Sequence, residues 1–200
     1  MNLTIEQRNR FDKEGYLFFP SLFSPEEIQN LLAAVPELYQ RREEYNVREK
    51  GSDAVRTNFA AHLYSKPFAK LARHPRMIKP VEDLLGEHLY MHQFKINGKM
   101  AFEGDVWQWH QDYGTWVNDD LMPAERAMNI AIFLDEVTEF NGPLLLILAV
   151  TKKESSKQNM ILLQPAIHFG HLIIILSHSW LTVLVAKMVG SLVLRDQPDQ

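Results

Sequence analysis

The stretch Val106 to Trp116, VWQWHQDYGTW, sets a histidine and an aspartate two positions apart among three tryptophans and a tyrosine. On an extended strand side chains alternate between faces, so Val106, Gln108, His110 and Asp112 are expected on one side and Trp107, Trp109, Gln111 and Tyr113 on the other. A neutral imidazole and a carboxylate projecting together supply two corners of a two-histidine, one-carboxylate metal site, which leaves three positions on the metal open for reactants. Standing alone, the same pair is also the pattern of two exposed polar residues beside a turn. The chain has no cysteine, so thiolate sites and disulfides are excluded and His, Asp and Glu are the only strong ligands left.

Those two residues need a scaffold, and 200 residues with 46% hydrophobic content can bury one substantial core. A net charge of -4 and a pI near 6.1 offer no basic surface for nucleic acid. The N-terminal run MNLTIEQRNRFDKEG is polar and charged, not a basic stretch followed by an apolar one, so a cytoplasmic chain without a secretory leader is expected. Thr4 and Gln7 have capping-box spacing and Gly15 can close the helix that follows, predicting a helix over about 5 to 14. Ser24-Pro25-Glu26-Glu27 opens a second helix whose buried face is Ile28, Leu31, Leu32, Val35 and Leu38. Residues 40–57 are charged and aperiodic and read as a loop. PFAKLARHP and MIKPVEDLLG read as two short helices, the second ended by Gly86.

After Gly86 the period changes. HLYMHQFKIN, VWQWHQDYGTW and MNIAIFLDEV are rich in aromatic and β-branched residues and are punctuated by Gly98, Gly104, Gly114 and Asn141-Gly142. Helices first and antiparallel strands later predict an α+β chain built on a sheet sandwich or barrel.

Three blocks, FDKEGYLFFPSLFSPEEI, HQFKINGKMAFEGDVWQWHQDYGTW and DLMPAERAMNIAIFLDEVTEFNGPLLLI, resemble in order and spacing the phytanoyl-CoA dioxygenase superfamily, and within it the ectoine hydroxylase-like branch. The resemblance runs from about residue 4 to Ile147. It implies N-terminal helices packed on a double-stranded β-helix, a jelly-roll or cupin-like core, and an Fe(II)- and 2-oxoglutarate-dependent dioxygenase. In such an enzyme O2 and 2-oxoglutarate are consumed, succinate forms, and a C–H bond of a small-molecule substrate is hydroxylated. The resemblance assigns His110 and Asp112 as iron ligands. It assigns Lys99, eleven residues before His110, to a 2-oxoglutarate carboxylate, and Gln93, six residues before Lys99, to the substrate. Trp109 and Trp116 are candidates for the substrate pocket, and His92 is expected to be structural. HQDYGTWVNDDLMP only approximates the ectoine enzymes' motif, so ectoine is one candidate substrate among small soluble molecules.

The pattern breaks after NGPLLLI. Where the family continues with a PGSH turn, a long insertion, a distal histidine and an arginine that grips 2-oxoglutarate, this chain reads LAVTKKESSKQNM. Residues 148 to 200 hold only two aromatics, Phe169 and Trp180, and no aspartate before Asp196. Synonymous codons for this segment, read one nucleotide earlier, yield PGSHKKGVIEAKHDFITTSYPLW and further family-like text. The chain is therefore expected to divide into a dioxygenase-like part, residues 1–147, and an out-of-frame tail, residues 148–200. That division leaves the jelly roll incomplete at the C-terminus and its core partly uncovered, and makes none of His168, His171 and His178 a ligand. The alternatives are a non-catalytic remnant or binding domain of the same fold, and a membrane anchor over residues 172–194, which His178 and Lys187 make costly. The nucleotide sequence tests the division: a single missing base after the codon for Ile147, with a shifted frame running on to a distal histidine and arginine, is the expected result, and codons that do not re-read as family text refute it.

Overall fold

Two reciprocal caps set the first helices. The structure, a computed structural model, describes residues 2–86, 88–104, 107–108, 110, 112–124, 126–138 and 144–147, and then the strand segments 160–162, 166–167, 172–176, 183–184 and 191–195. The Gln7 amide donates to Thr4 Oγ1 at 3.2 Å and the Thr4 amide to Gln7 Oε1 at 2.9 Å, and Gly15 ends α1 (Ile5–Glu14) at φ 78°. After β1 (Tyr16–Phe19), Ser24 and Glu27 exchange the same pair of bonds at 3.2 and 2.8 Å to open α2 (Pro25–Leu32). The single helix expected through Leu38 is in fact two. Pro36 has no N–H to give Leu32 and is tolerated only in a first turn, so the chain breaks at Ala33–Ala34 and restarts as α3 (Val35–Gln40).

The expected loop over 40–57 contains a hairpin, β2 (Asn46–Arg48) paired antiparallel with β3 (Val55–Phe59). Its inward positions are polar and therefore gave no hydrophobic alternation. The Asn46 side chain donates to the carbonyls of Leu38 at 2.6 Å and Arg41 at 2.9 Å, Asn58 donates to Asn46 Oδ1 at 2.6 Å, and the Tyr64 hydroxyl donates to Asn58 Oδ1 at 2.9 Å. Each buried amide is thus satisfied, as burial requires. Helices α4 (Ala61–Tyr64), α5 (Lys66–Ala72) and α6 (Pro75–Leu85) follow, the last closed by Gly86 at φ 74°.

Strand β4 (Tyr90–Asn97) comes next. It is followed by α7 (Asp112–Asp119), β5 (Ala127–Ile132), β6 (Val137–Thr138) and β7 (Leu145–Ile147). The remaining strands are β8 (Met160–Leu162), β9 (Ala166–Ile167), β10 (Leu172–Leu176), β11 (Val183–Leu184) and β12 (Ser191–Arg195). Seven strands form one antiparallel sheet in the order β1-β10-β5-β12-β4-β3-β2, and two small sheets, β11-β7-β8 and β6-β9, accompany it. The fold is α+β, with the N-terminal helices on one face of a jelly-roll sheet. In the major sheet β10 lies between β1 and β5 and β12 between β5 and β4. The described parts of 172–194 are strands, and among the described residues no helix is long and apolar enough to cross a membrane.

Alternation along β4 and β5 sorts the sheet into two faces. Met128, Ile130 and Ile132 join Phe94 and Ile96 in one buried cluster with Phe11, Ile28, Phe68, Leu71, Met77 and Val81 of the helices. Ala127, Asn129 and Ala131 therefore point the other way, and Ala127 packs with Trp116 and Met122 on that side. A bulge adjusts this pattern on β4. Val193 pairs with Gln93 but Leu194 with Met91, so His92 is an extra residue, and Met91 and Gln93, two apart, lie on opposite faces. Met91 packs on the helix-side cluster, while Gln93 is in register with Asn129 across Val193.

Gly98, just past β4, is where this sheet leaves no room. A Cβ there would stand 2.8 Å from the Val55 carbonyl oxygen and 3.0 Å from the Tyr39 hydroxyl, and the backbone atom cannot yield without moving β3. Gly98→Ala is expected to lower the unfolding free energy by about 1–3 kcal/mol in urea denaturation, as overpacking does; an unchanged midpoint would contradict this packing.

Candidate metal and substrate cleft

His110 and Asp112 do converge, but not as strand neighbours. His110 lies in an isolated bridge and Asp112 is the first residue of α7, so Asp112 stands on a helix and not on the strand expected to carry both; Val106, Trp109 and Gln111 lie outside the described residues. The His110 Nε2 to Asp112 Oδ1 distance is 3.4 Å, with both side chains partly exposed. His110 Nδ1 lies 2.6 Å from the Gln108 carbonyl oxygen, which can only accept, so Nδ1 carries the hydrogen and Nε2 is the nitrogen that faces Asp112. This is the arrangement in which a histidine is oriented through one nitrogen and available through the other. The Asp112 carboxylate is held from behind by the Asn129 side-chain amide, which donates to Oδ2.

The field around the pair follows from these contacts. The Asp112 hydrogen bond raises the His110 pKa above its ordinary value, with support from the Gln108 carbonyl, while burial and the nearby Lys95 ammonium pull it down. Burial lowers the Lys95 pKa, and the charges of Asp112 and Asp120 oppose that fall. Upstream, the Arg56 guanidinium stacks 3.9 Å from the centroid of the Trp107 ring and is itself 3.1 Å from Glu49, which ties the approach to His110 onto β3.

Helix α7 is fixed to the sheet by His92. Its Nε2 is 2.8 Å from Asp120 Oδ2, and its ring meets Trp116 edge-on with centroids 5.8 Å apart. The structural role expected for His92 is therefore specific: the bulge turns it toward α7. Trp116 is 2% exposed and packs with Met122 and Ala127, so its bulk fills the space between α7 and β5. Gln93 lies on the same face of β4, and among the described residues its buried Oε1 has no hydrogen-bond partner. Lys99 stands beyond the end of β4 in the turn that Gly104 closes, and among the described residues no hydrogen bond or ion pair links it to His110 or Asp112. Among the described residues no third His, Asp or Glu completes a metal-binding group. Trp109, His168, His171 and His178 lie outside the described residues. The donors present thus fit two corners of an iron site: an oriented imidazole nitrogen and a carboxylate with one oxygen turned toward it.

Sequence reasoning missed Lys95 and Asn129. The signal was available, because the two-residue period starting at Gln93 selects Lys95 and Asn97, and Asn129 is the polar interruption of the apolar run AMNIAI.

The phytanoyl-CoA dioxygenase (PhyH) pattern matches residues 11–161, about three quarters of the chain. The chain belongs to the phytanoyl-CoA dioxygenase family. It is 39% identical over 140 residues to an L-proline trans-4-hydroxylase of Streptomyces griseoviridis, covering 70% of this chain and 52% of that protein. It is 37% identical over 150 residues to an ectoine dioxygenase of Bordetella bronchiseptica, covering 72% of this chain and 48% of that protein. The chain thus spans about half the length of these curated relatives. Among solved structures it resembles EctD from S. alaskensis with 2-oxoglutarate and 5-hydroxyectoine, at a TM-score of 0.85 and 25% identity over 96% of this chain and 76% of that one. Within this family member, likeness of backbone reaches well beyond likeness of sequence.

The packing of Trp116 has a measurable consequence. Trp116→Ala is expected to cost about 3–5 kcal/mol of stability with no ligand present, since it removes a fully buried aromatic. A change within about 0.5 kcal/mol, as at an exposed pocket wall, would count against this placement.

Proposed function

We propose that this chain carries the N-terminal half-site of an Fe(II)- and 2-oxoglutarate-dependent hydroxylase of a small molecule. The convergence of His110 and Asp112 at the head of α7, in a chain of this family, carries the reading. His110 Nε2 and an oxygen of Asp112 would hold the metal, with Gln108 and Asn129 fixing the two ligands from behind. Bound iron would supply the oxidising chemistry that couples O2 and 2-oxoglutarate to C–H hydroxylation. The protein's own part is geometric. The Gln108 carbonyl selects the tautomer that leaves Nε2 available, Asn129 sets the rotation of the carboxylate, and the His92 contacts hold α7 so that Asp112 stays in place. In this reading Lys99 meets a carboxylate of 2-oxoglutarate and Gln93 belongs to the substrate side through its Oε1, whereas Trp116, buried against Met122 and Ala127, supports α7 and does not line the pocket.

The same proposal holds residues 148–200 to be an out-of-frame reading of a family sequence, so that the chain as written is catalytically silent and acts at most as a non-catalytic remnant. The extent of sequence similarity to the curated relatives, 70% and 72% of this chain, supports this reading. Two protein ligands bind a divalent metal weakly, so little retained iron and no 2-oxoglutarate-derived succinate are expected from this chain. The frame-restored protein is expected to give both, and His110→Ala or Asp112→Ala in it to abolish them. Stoichiometric iron and turnover by the 200-residue chain itself would overturn the proposal of silence; an unaffected His110→Ala variant would overturn the ligand assignment.

A further inference from the structure

The cleft face of β4 holds a cation that these assignments leave unused. Gln93, Lys95 and Asn97 follow one another at the strand period, and Asn97 is satisfied, its Oδ1 accepting from the Thr57 hydroxyl at 3.0 Å. Lys95 is not. It is half-buried, and among the described residues its ammonium makes no hydrogen bond and no ion pair; its one ring contact is Phe59, 5.4 Å from Nζ to the centroid. Asp112 and Asp120 are near enough to act on its charge, yet both are engaged elsewhere: Asp112 by Asn129 and His110, Asp120 by His92. A desolvated ammonium without a partner is costly, and an apolar residue at this position would avoid that cost. An anion that docks in the cleft would remove it.

We propose that Lys95 is a carboxylate-binding residue of the cleft. A compact point charge on a flexible stem suits a single carboxylate, and Gln93, two residues back along β4 at the strand period, has a buried acceptor, Oε1, that an N–H of the bound molecule would satisfy. The carboxylate belongs either to a small amino-acid-like substrate or to 2-oxoglutarate. The inference rests on reading this cleft as the hydroxylase site, but it does not require metal to be present.

The test is calorimetric titration of the metal-free chain, and of its Lys95→Gln, Lys95→Met and Lys95→Arg variants, with 2-oxoglutarate and separately with L-proline. Circular dichroism checks that each variant folds. Lys95→Gln and Lys95→Met are expected to weaken one of the two ligands at least about tenfold, the loss of one charge-assisted hydrogen bond, while Lys95→Arg retains most of the binding. The ligand that suffers identifies which carboxylate Lys95 holds. Unchanged affinity for both ligands in the neutral variants, or no binding of either to the parent chain, overturns the inference. Mn(II) titration of the parent and of His110→Ala separates the two ideas: loss of metal binding in His110→Ala with unaltered carboxylate binding in Lys95→Gln sinks the Lys95 role alone, and the opposite pattern sinks the metal site alone.

Discussion

Burial of Met128, Ile130 and Ile132 against the N-terminal helices decides where polar chemistry can stand in this molecule. Side chains alternate along β5, so a strand that commits these three residues to the helix-side core must present Ala127, Asn129 and Ala131 to the other side. A one-residue slip would exchange the two sets and bury Asn129 among the phenylalanines of the helix layer. The cost of that exchange is three large apolar side chains forced into a buried face packed for Ala127, Asn129 and Ala131, at about 1–3 kcal/mol of overpacking each, which together exceeds any single hydrogen bond there. The position of Asn129 behind Asp112 is therefore guaranteed by oil, not by polarity.

The same logic explains the bulge on β4. A regular strand would put Met91, Gln93 and Lys95 on one face, and Met91 would then leave the core. Inserting His92 as an extra residue lets Met91 reach the helix side while Gln93 and Lys95 keep to the cleft. It also frees His92 to reach α7, where its contacts to Asp120 and Trp116 fix the helix that begins with Asp112. One irregularity thus reconciles core burial with the placement of a metal-ligand candidate on the next element in sequence.

What could be read from the sequence was what depends on local chemistry. Thr4 with Gln7 and Ser24 with Glu27 announce helix starts because the caps are satisfied by residues three positions apart. The β2–β3 hairpin was invisible because Asn46 and Asn58 are satisfied by Leu38, Arg41 and Tyr64, partners that only the folded chain brings together. His110 and Asp112 were found as a pair, yet Asp112 stands on α7 and not on a strand with His110, a placement that depends on the docking of α7 through His92 and Trp116. Lys95 was passed over because a lysine in a half-apolar strand resembles a solvent-facing residue until the opposite face of that strand is known to be the core.

The tail separates two requirements that a fold usually meets together. Strand pairing is made by backbone amides and carbonyls, which every residue but proline supplies, so extended apolar segments such as Leu172–Leu176 and Ser191–Arg195 can occupy the slots beside β5 whatever their side chains were selected for. A metal ligand has no such substitute: it must be one of a few residue types, at one position, with its second nitrogen or oxygen oriented from behind. If residues 148–200 are read out of frame, the sheet tolerates the change and the site does not, because the ladder asks only for a backbone and an apolar bias, whereas completing the pair at His110 and Asp112 asks for a particular atom. Strand pairing around β5, with no third His, Asp or Glu joining His110 and Asp112 among the described residues, is the outcome that this difference in specificity predicts.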